Sequence, residues 1–106
     1  DELRGMGGAD TLIGAANNDL IYGAAGDDTL QGKAGLDVIY GGSGNDTIEG
    51  NNGDDTLNGD ADSDNLRGGP GEDLLDGGTG SDTLNGGADD DACTRGPFYE
   101  SCELIL

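Results

Sequence analysis

The chain has 106 residues, of which 23 are glycine and 23 acidic against only 4 basic, for a net charge of −19. One Phe, no Trp and no His leave little for a conventional globular core, and so much negative charge excludes nucleic acid, whose phosphates demand Lys and Arg. The longest apolar run is three residues, so nothing here spans a membrane, and no basic-then-apolar leader opens the stretch.

Composition alone describes a disordered chain, but the order of the residues does not. From Gly5 the sequence divides into ten rows of nine that reach Thr94 without insertion or deletion, preceded by a partial row, residues 1–4. Position one is Gly in every row and position six is Asp in every row. Position eight is Leu or Ile until Cys93 takes it in the tenth row. One apolar residue in nine cannot build an amphipathic helix, which needs three or four per two turns. It can build a three-residue strand with its central side chain inward. Strands are predicted at 2–4, 11–13, 20–22, 29–31, 38–40, 47–49, 56–58, 65–67, 74–76, 83–85 and 92–94, joined by six-residue glycine-rich turns.

Two rows make a coil of 18 residues, so every second strand stacks in parallel on the same sheet. The expected fold is all-β: a parallel β-roll, or β-solenoid, of about five coils, roughly 25 Å long at 4.8 Å per strand. Residues 95–106 are left as a C-terminal cap and tail.

Stacking also aligns the aspartates of position six, namely Asp10, Asp19, Asp28, Asp37, Asp46, Asp55, Asp64, Asp73, Asp82 and Asp91. Carboxylates repeating at roughly 4.8 Å repel one another unless a cation lies between them. Zinc wants Cys or His, and this chain has no His. Calcium takes 6–8 oxygens in flexible geometry and suits such turns better than magnesium. The run "DADSDN" from Asp60 opens like an EF-hand loop but has Asn65 and Gly71 where that loop needs Gly and Glu. "GGPGED" and "GGTGSD" lack the Lys and following helix of a phosphate loop. Without His no Ser-His or Cys-His pair exists, and the carboxylates are accounted for as ligands, so no catalysis is expected.

Rows five ("GGSGNDTIE") and nine ("GGTGSDTLN") match GGxGxDxUx at every fixed position. On these motifs the chain resembles the RTX family of calcium-binding repeats over about residues 1–103. The resemblance implies a right-handed parallel β-roll with an ion between the turns of rows n and n+2. The first turn would supply its Asp and the carbonyls of positions two and four: Met6 and Gly8, Ala15 and Asn17, Ala24 and Gly26, Lys33 and Gly35, Gly42 and Gly44, Asn51 and Gly53, Asp60 and Asp62, Gly69 and Gly71. The next would supply its Asp and the carbonyls of positions one and three: Gly23 and Ala25, Gly32 and Ala34, Gly41 and Ser43, Gly50 and Asn52, Gly59 and Ala61, Gly68 and Pro70, Gly77 and Thr79, Gly86 and Ala88. Met6, Ala15, Ala24 and Lys33 replace the family's second glycine, and Asn17, Asp62 and Asp89 its fourth-position glycine. Carbonyl ligation tolerates such changes. Eight turn pairs imply about eight calcium ions, whose 16 positive charges nearly balance the −19 of the chain. Asp1 and Glu100 are candidates for further sites at the two ends.

The same register puts Cys102 at position eight of an eleventh, glycine-poor row, one row after Cys93. Two inward thiols at the end of the core are expected to form a disulfide covered by Phe98 and Tyr99, the alternative being two buried free thiols. A disulfide and a calcium requirement both point outside the cell. The final "ELIL" is similar to the acidic-apolar tail of type I secretion substrates, and entry in mid-row at Asp1 suggests an upstream portion. Outward positions differ between the sheets: Thr11, Thr29, Thr47, Asn65 and Thr83 on one, Leu20, Tyr22, Val38 and Tyr40 on the other. The apolar-aromatic set is a candidate interface with a second copy or another extracellular protein or surface. The expected function is a secreted calcium-binding roll that folds on binding the ion and serves as a structural or adhesive module, with self-assembly. The alternative is a C-terminal folding and export module of a larger secreted enzyme or toxin. A threonine face meeting ice or polysaccharide is a third reading.

Overall fold

A computed structural model describes residues 1–89, 91–94, 98–100 and 103–104. Each predicted strand is present: β1 Glu2–Arg4, β2 Thr11–Ile13, β3 Leu20–Ala25, β4 Thr29–Gln31, β5 Val38–Ser43, β6 Thr47–Glu49, β7 Thr56–Asp60, β8 Asn65–Arg67, β9 Leu74–Asp76, β10 Thr83–Asn85 and β11 Ala92–Thr94. Two more lie in the cap, β12 Phe98–Glu100 and β13 Glu103–Leu104. The odd strands form one parallel sheet in the order β1-β3-β5-β7-β9-β11-β13, and the even strands a second, from β2 to β12. Neighbours pair at an offset of eighteen residues, for example Ile21 with Ile39 and Leu30 with Ile48. The chain therefore alternates between two sheets and closes one coil every two rows. No helix long and apolar enough to cross a membrane occurs among the described residues.

Between the sheets lie Ile21, Leu30, Ile39, Ile48, Leu57, Leu66, Leu75, Leu84 and Cys93, all fully buried, with Leu3 and Leu12 half-buried at the first coil. Each strand contributes one side chain to this core because its neighbours at positions seven and nine point outward. The core is thus two facing columns of single side chains, narrow but continuous.

Three strands are longer than predicted. β3, β5 and β7 continue past position nine into the following turn, where Ala24 pairs with Gly42 and Gly42 with Asp60. The corner after the first sheet is therefore hydrogen-bonded as an extension of that sheet.

The cap departs from the expected register. Leu84 pairs with Tyr99, fifteen residues on, so Tyr99 occupies the ladder place expected for Cys102. The reason lies at position four of the eleventh row. That position needs a positive φ throughout the roll, and Phe98, which a bulky side chain keeps out of that region, enters β12 directly instead. Glu100 accordingly stands opposite Asn85 in the ladder, three residues beyond the register expected for it. Cys93 pairs in register with Leu75 on one side and Leu104 on the other. Cys102 lies outside the described residues.

Truncating Ile48 to Ala should cost about 2–5 kcal/mol, the range for a large-to-small change in a packed core. Ile13→Ala, at a position 49% exposed, should cost about 0.5 kcal/mol or less. Denaturant titrations in calcium measure both, and equal losses would contradict the two-column core.

Candidate metal sites between the coils

Each turn spans positions one to six, and its backbone alternates in hand. All ten residues at position two and all ten at position four have positive φ. At position two these include Met6 at 76°, Ala24 at 72° and Lys33 at 74°. Position four is held by glycine, Asn17, Asp62 or Asp89, the types that tolerate this region best. Position one has a different need. A Cβ on Gly23 would meet Asp28 Oδ2 at 2.7 Å and the carbonyl oxygen of Gly41 at 2.7 Å. Glycine is required there for space, because the carboxylate of its own row lies against it.

The alternation aims the carbonyls. Those of positions two and four point toward the next coil, as where Met6 O accepts Ala25 N–H, whereas that of Ser43 at position three points back and accepts Gly26 N–H. The carbonyl of Ala24 faces the Cα of Gly42, and that of Gly26 faces Gly44. Carbonyls of position one point the opposite way, that of Gly41 toward Gly23 and that of Gly59 toward Gly41. Each gap between stacked turns is therefore lined from below by positions two and four and from above by positions one and three.

The aspartates complete this lining. Asp19, Asp28, Asp37, Asp46, Asp55, Asp64, Asp73, Asp82 and Asp91 are each at most 4% exposed. In each stack the Oδ1 of one Asp accepts the backbone N–H of the Asp eighteen residues earlier, as from Asp28 to Asp46 at 2.8 Å and from Asp46 to Asp64 at 2.7 Å. The second oxygen, Oδ2, is buried without a hydrogen-bond partner in every one of these residues from Asp10 to Asp82. The amino nitrogen of Asp1 reaches Asp19 Oδ1 at 2.7 Å, but its carboxylate side chain is 90% exposed and stands outside the column.

Burial is the main cause that raises the carboxyl pKa values in this column. Asp46 is pushed up to about 6, Asp55 and Asp73 to about 7, and Asp64 to about 8. The backbone N–H donated to each works in the opposite direction, and neighbouring carboxylates add to the rise. Asp28, Asp37 and Asp82 are raised for the same leading reason.

Orphaned buried carboxylate oxygens, flanked by carbonyls aimed into one gap, suit a hard cation with many oxygen ligands. Among the described residues no three His, Cys, Asp or Glu side chains converge, so backbone oxygens must supply much of any coordination shell. The family model of the RTX calcium-binding nonapeptide repeat matches the chain four times, over residues 1–30, 22–57, 31–66 and 58–93. The chain belongs to the RTX calcium-binding repeat family. No curated protein and no solved structure matches it.

The RTX roll also carries a second side-chain ladder that the motif does not specify. At position five, Asn18 Oδ1 accepts Leu36 N–H, Asp27 accepts Asn45 N–H, Asn45 accepts Ser63 N–H and Asp54 accepts Glu72 N–H, at 2.8–3.0 Å. Asp60, Asp62 and Asp89 likewise hold the amides of Gly42, Gly44 and Gly71. Replacing glycine at positions two and four thus adds a bond across the gap where the new side chain is acidic. The recurrence of Asn and Asp at position five was the available signal in the sequence.

Two predictions follow from this geometry. Gly50→Ala places a methyl group against Asp55 Oδ2 and should cut calcium-driven folding sharply. Ala24→Gly, which relieves a left-handed alanine, should be neutral or stabilising by roughly 1 kcal/mol; calcium titrations followed by circular dichroism compare them. For pH, the raised pKa values mean that the ion-free folded chain binds protons more tightly than the unfolded one. That stabilisation is complete below the ordinary value of 3.8 and is lost as pH rises through about 6 to 8. Calcium-stripped protein should therefore show more β structure at about pH 5 than at pH 8, and the reverse order in circular dichroism would contradict the column's burial.

Proposed function

We propose that this chain is an extracellular module that folds when its turns take up calcium and then serves a structural or adhesive role rather than catalysis. The observation that carries the reading is the run of buried Asp Oδ2 atoms without partners in a chain of net charge −19. Bound calcium supplies two positive charges per gap. The aspartates of position six hold it with one or both oxygens, and the carbonyls of positions one to four complete the shell. An interior aspartate such as Asp46 faces a gap on each side and serves two ions, so about eight sites share their ligands. Those oxygens exchange their present amide partners for the ion.

Extracellular placement follows from the millimolar calcium such shared sites need and from a Cys93–Cys102 disulfide at the end of the core, which this reading includes. Assembly of copies is the finer part of the proposal. Its support is the half-buried set Leu20, Tyr22, Val38 and Tyr40 on the outer face of the first sheet.

Chelation is the deciding experiment. Removing calcium at neutral pH should abolish the β signal in circular dichroism, since eight sites at tenfold saturation contribute on the order of 11 kcal/mol. A spectrum indifferent to chelation would overturn the reading. Asp46→Ala should weaken the calcium response more than Asp1→Ala, and sedimentation with and without calcium should show association only in the folded form.

A further inference from the structure

The amide of position four meets two different partners in the roll. Where the next coil carries glycine at position four, the amide donates to that coil's position-three carbonyl. Gly26 N–H goes to Ser43 O at 3.1 Å, Gly35 N–H to Asn52 O at 3.2 Å and Gly53 N–H to Pro70 O at 3.2 Å. Where the next coil carries aspartate there, its side chain takes the amide instead. Gly44 N–H goes to Asp62 Oδ2 at 2.8 Å and Gly71 N–H to Asp89 Oδ2 at 3.0 Å. Both aspartates keep the positive φ of the position, 74° and 76°, so the turn runs as elsewhere and only the partner of the amide differs.

The exchange bears on the oxygens that line the gap. A position-three carbonyl is one of those that face back toward the preceding turn, and an amide bonded to it sets the positive end of an N–H dipole beside any cation there. In the gap between rows five and seven, and in that between rows eight and ten, the amide is held by a carboxylate. The carbonyls of Ala61 and Ala88 are not occupied by it. The first of these gaps is bridged further, since Asp60 Oδ2 accepts the Gly42 amide at 3.2 Å and Asn45 Oδ1 the Ser63 amide at 3.0 Å. None of these bridging side-chain oxygens belongs to the aspartate column of position six.

We propose that Asp62 and Asp89 are positioning residues that make these two gaps the first of the eight to take up calcium. The inference rests on the calcium reading and adds an order of filling to it. In these gaps the turns are held together by side chains outside the shell, so uptake of an ion need not first displace the position-four amide from a carbonyl. Less reorganisation on binding gives tighter binding. Both residues stand where the repeat has glycine, so restoring the motif should here weaken uptake, the opposite sign to Ala24→Gly.

Calorimetric titration with calcium chloride, with circular dichroism on the same samples, tests this. The native chain should take up two ions at lower calcium than the rest. Asp62→Gly and Asp89→Gly should each move one of them to roughly three- to tenfold higher calcium, the worth of one hydrogen bond. The double change should move both, and the β signal at saturating calcium should equal the native one throughout. Asp62→Asn keeps an acceptor for the Gly44 amide and should stay within about twofold of native. Asn17→Gly makes a similar change at a position of like φ, 75°, whose side chain bridges no gap, and should leave the early ions in place. If the glycine variants titrate as the native chain does, or Asp62→Asn falls as far as Asp62→Gly, the inference is overturned and the calcium reading stands. A native chain that takes up no calcium would overturn both.

Discussion

What every coil of this protein must accommodate is a carboxylate held out of water beside another of its own kind. Asp28, Asp46, Asp64 and Asp82 follow one another up one edge, and Asp19, Asp37, Asp55, Asp73 and Asp91 up the other, all buried. One oxygen of each is satisfied from the coil before, by the amino group of Asp1 at Asp19 and by a backbone amide at the others. From Asp10 to Asp82 the other is buried without a hydrogen-bond partner, and an unpaired buried charge is among the most costly features a fold can contain. Only a proton or a cation relieves it. The pKa values, raised toward neutrality in mid-column, and the membership in a calcium-binding repeat family are two expressions of that single requirement.

The same carboxylate explains two roles of glycine that look alike in the repeat. Position one must be glycine because Oδ2 leaves no room for a side chain, as at Gly41 beside Asp46. Positions two and four only need a positive φ, which Met6, Lys33 and Asp62 also adopt at a cost of about 1–2 kcal/mol each. Hence the sequence varies at positions two and four and not at position one. Variation appears where the demand is for conformation, and invariance where it is for volume.

Much of the fold was legible because nine-residue spacing leaves few options. An apolar residue once per nine places Ile21, Ile39 and Leu57 in one column and Leu30, Ile48 and Leu66 in the other, as the register has them. The aspartate columns were legible for the same reason. Other features depend on what lies between specific coils. The asparagine and aspartate bonds of position five join Asn18 to Leu36 and Asp54 to Glu72, residues that a single row never brings together. The shortened eleventh row depends on whether Phe98 can adopt a left-handed turn, a conformational matter that counting by nines passes over.

Alternation between two sheets gives the molecule two periods at once. The interior repeats every nine residues, since Leu30 and Ile39 do equivalent work on opposite sides of the core. The exterior repeats every eighteen, with threonine at 11, 29, 47 and 83 on one face and larger apolar residues at 20, 38 and 74 on the other. Loss or gain of one row would leave the core and the aspartate columns in phase while transposing the two faces for all the chain that follows. Threonines beyond the change would then stand in line with Leu20. Duplication by eighteen lengthens such a molecule and keeps its faces; duplication by nine makes a chimera of them, equally foldable and with different surfaces.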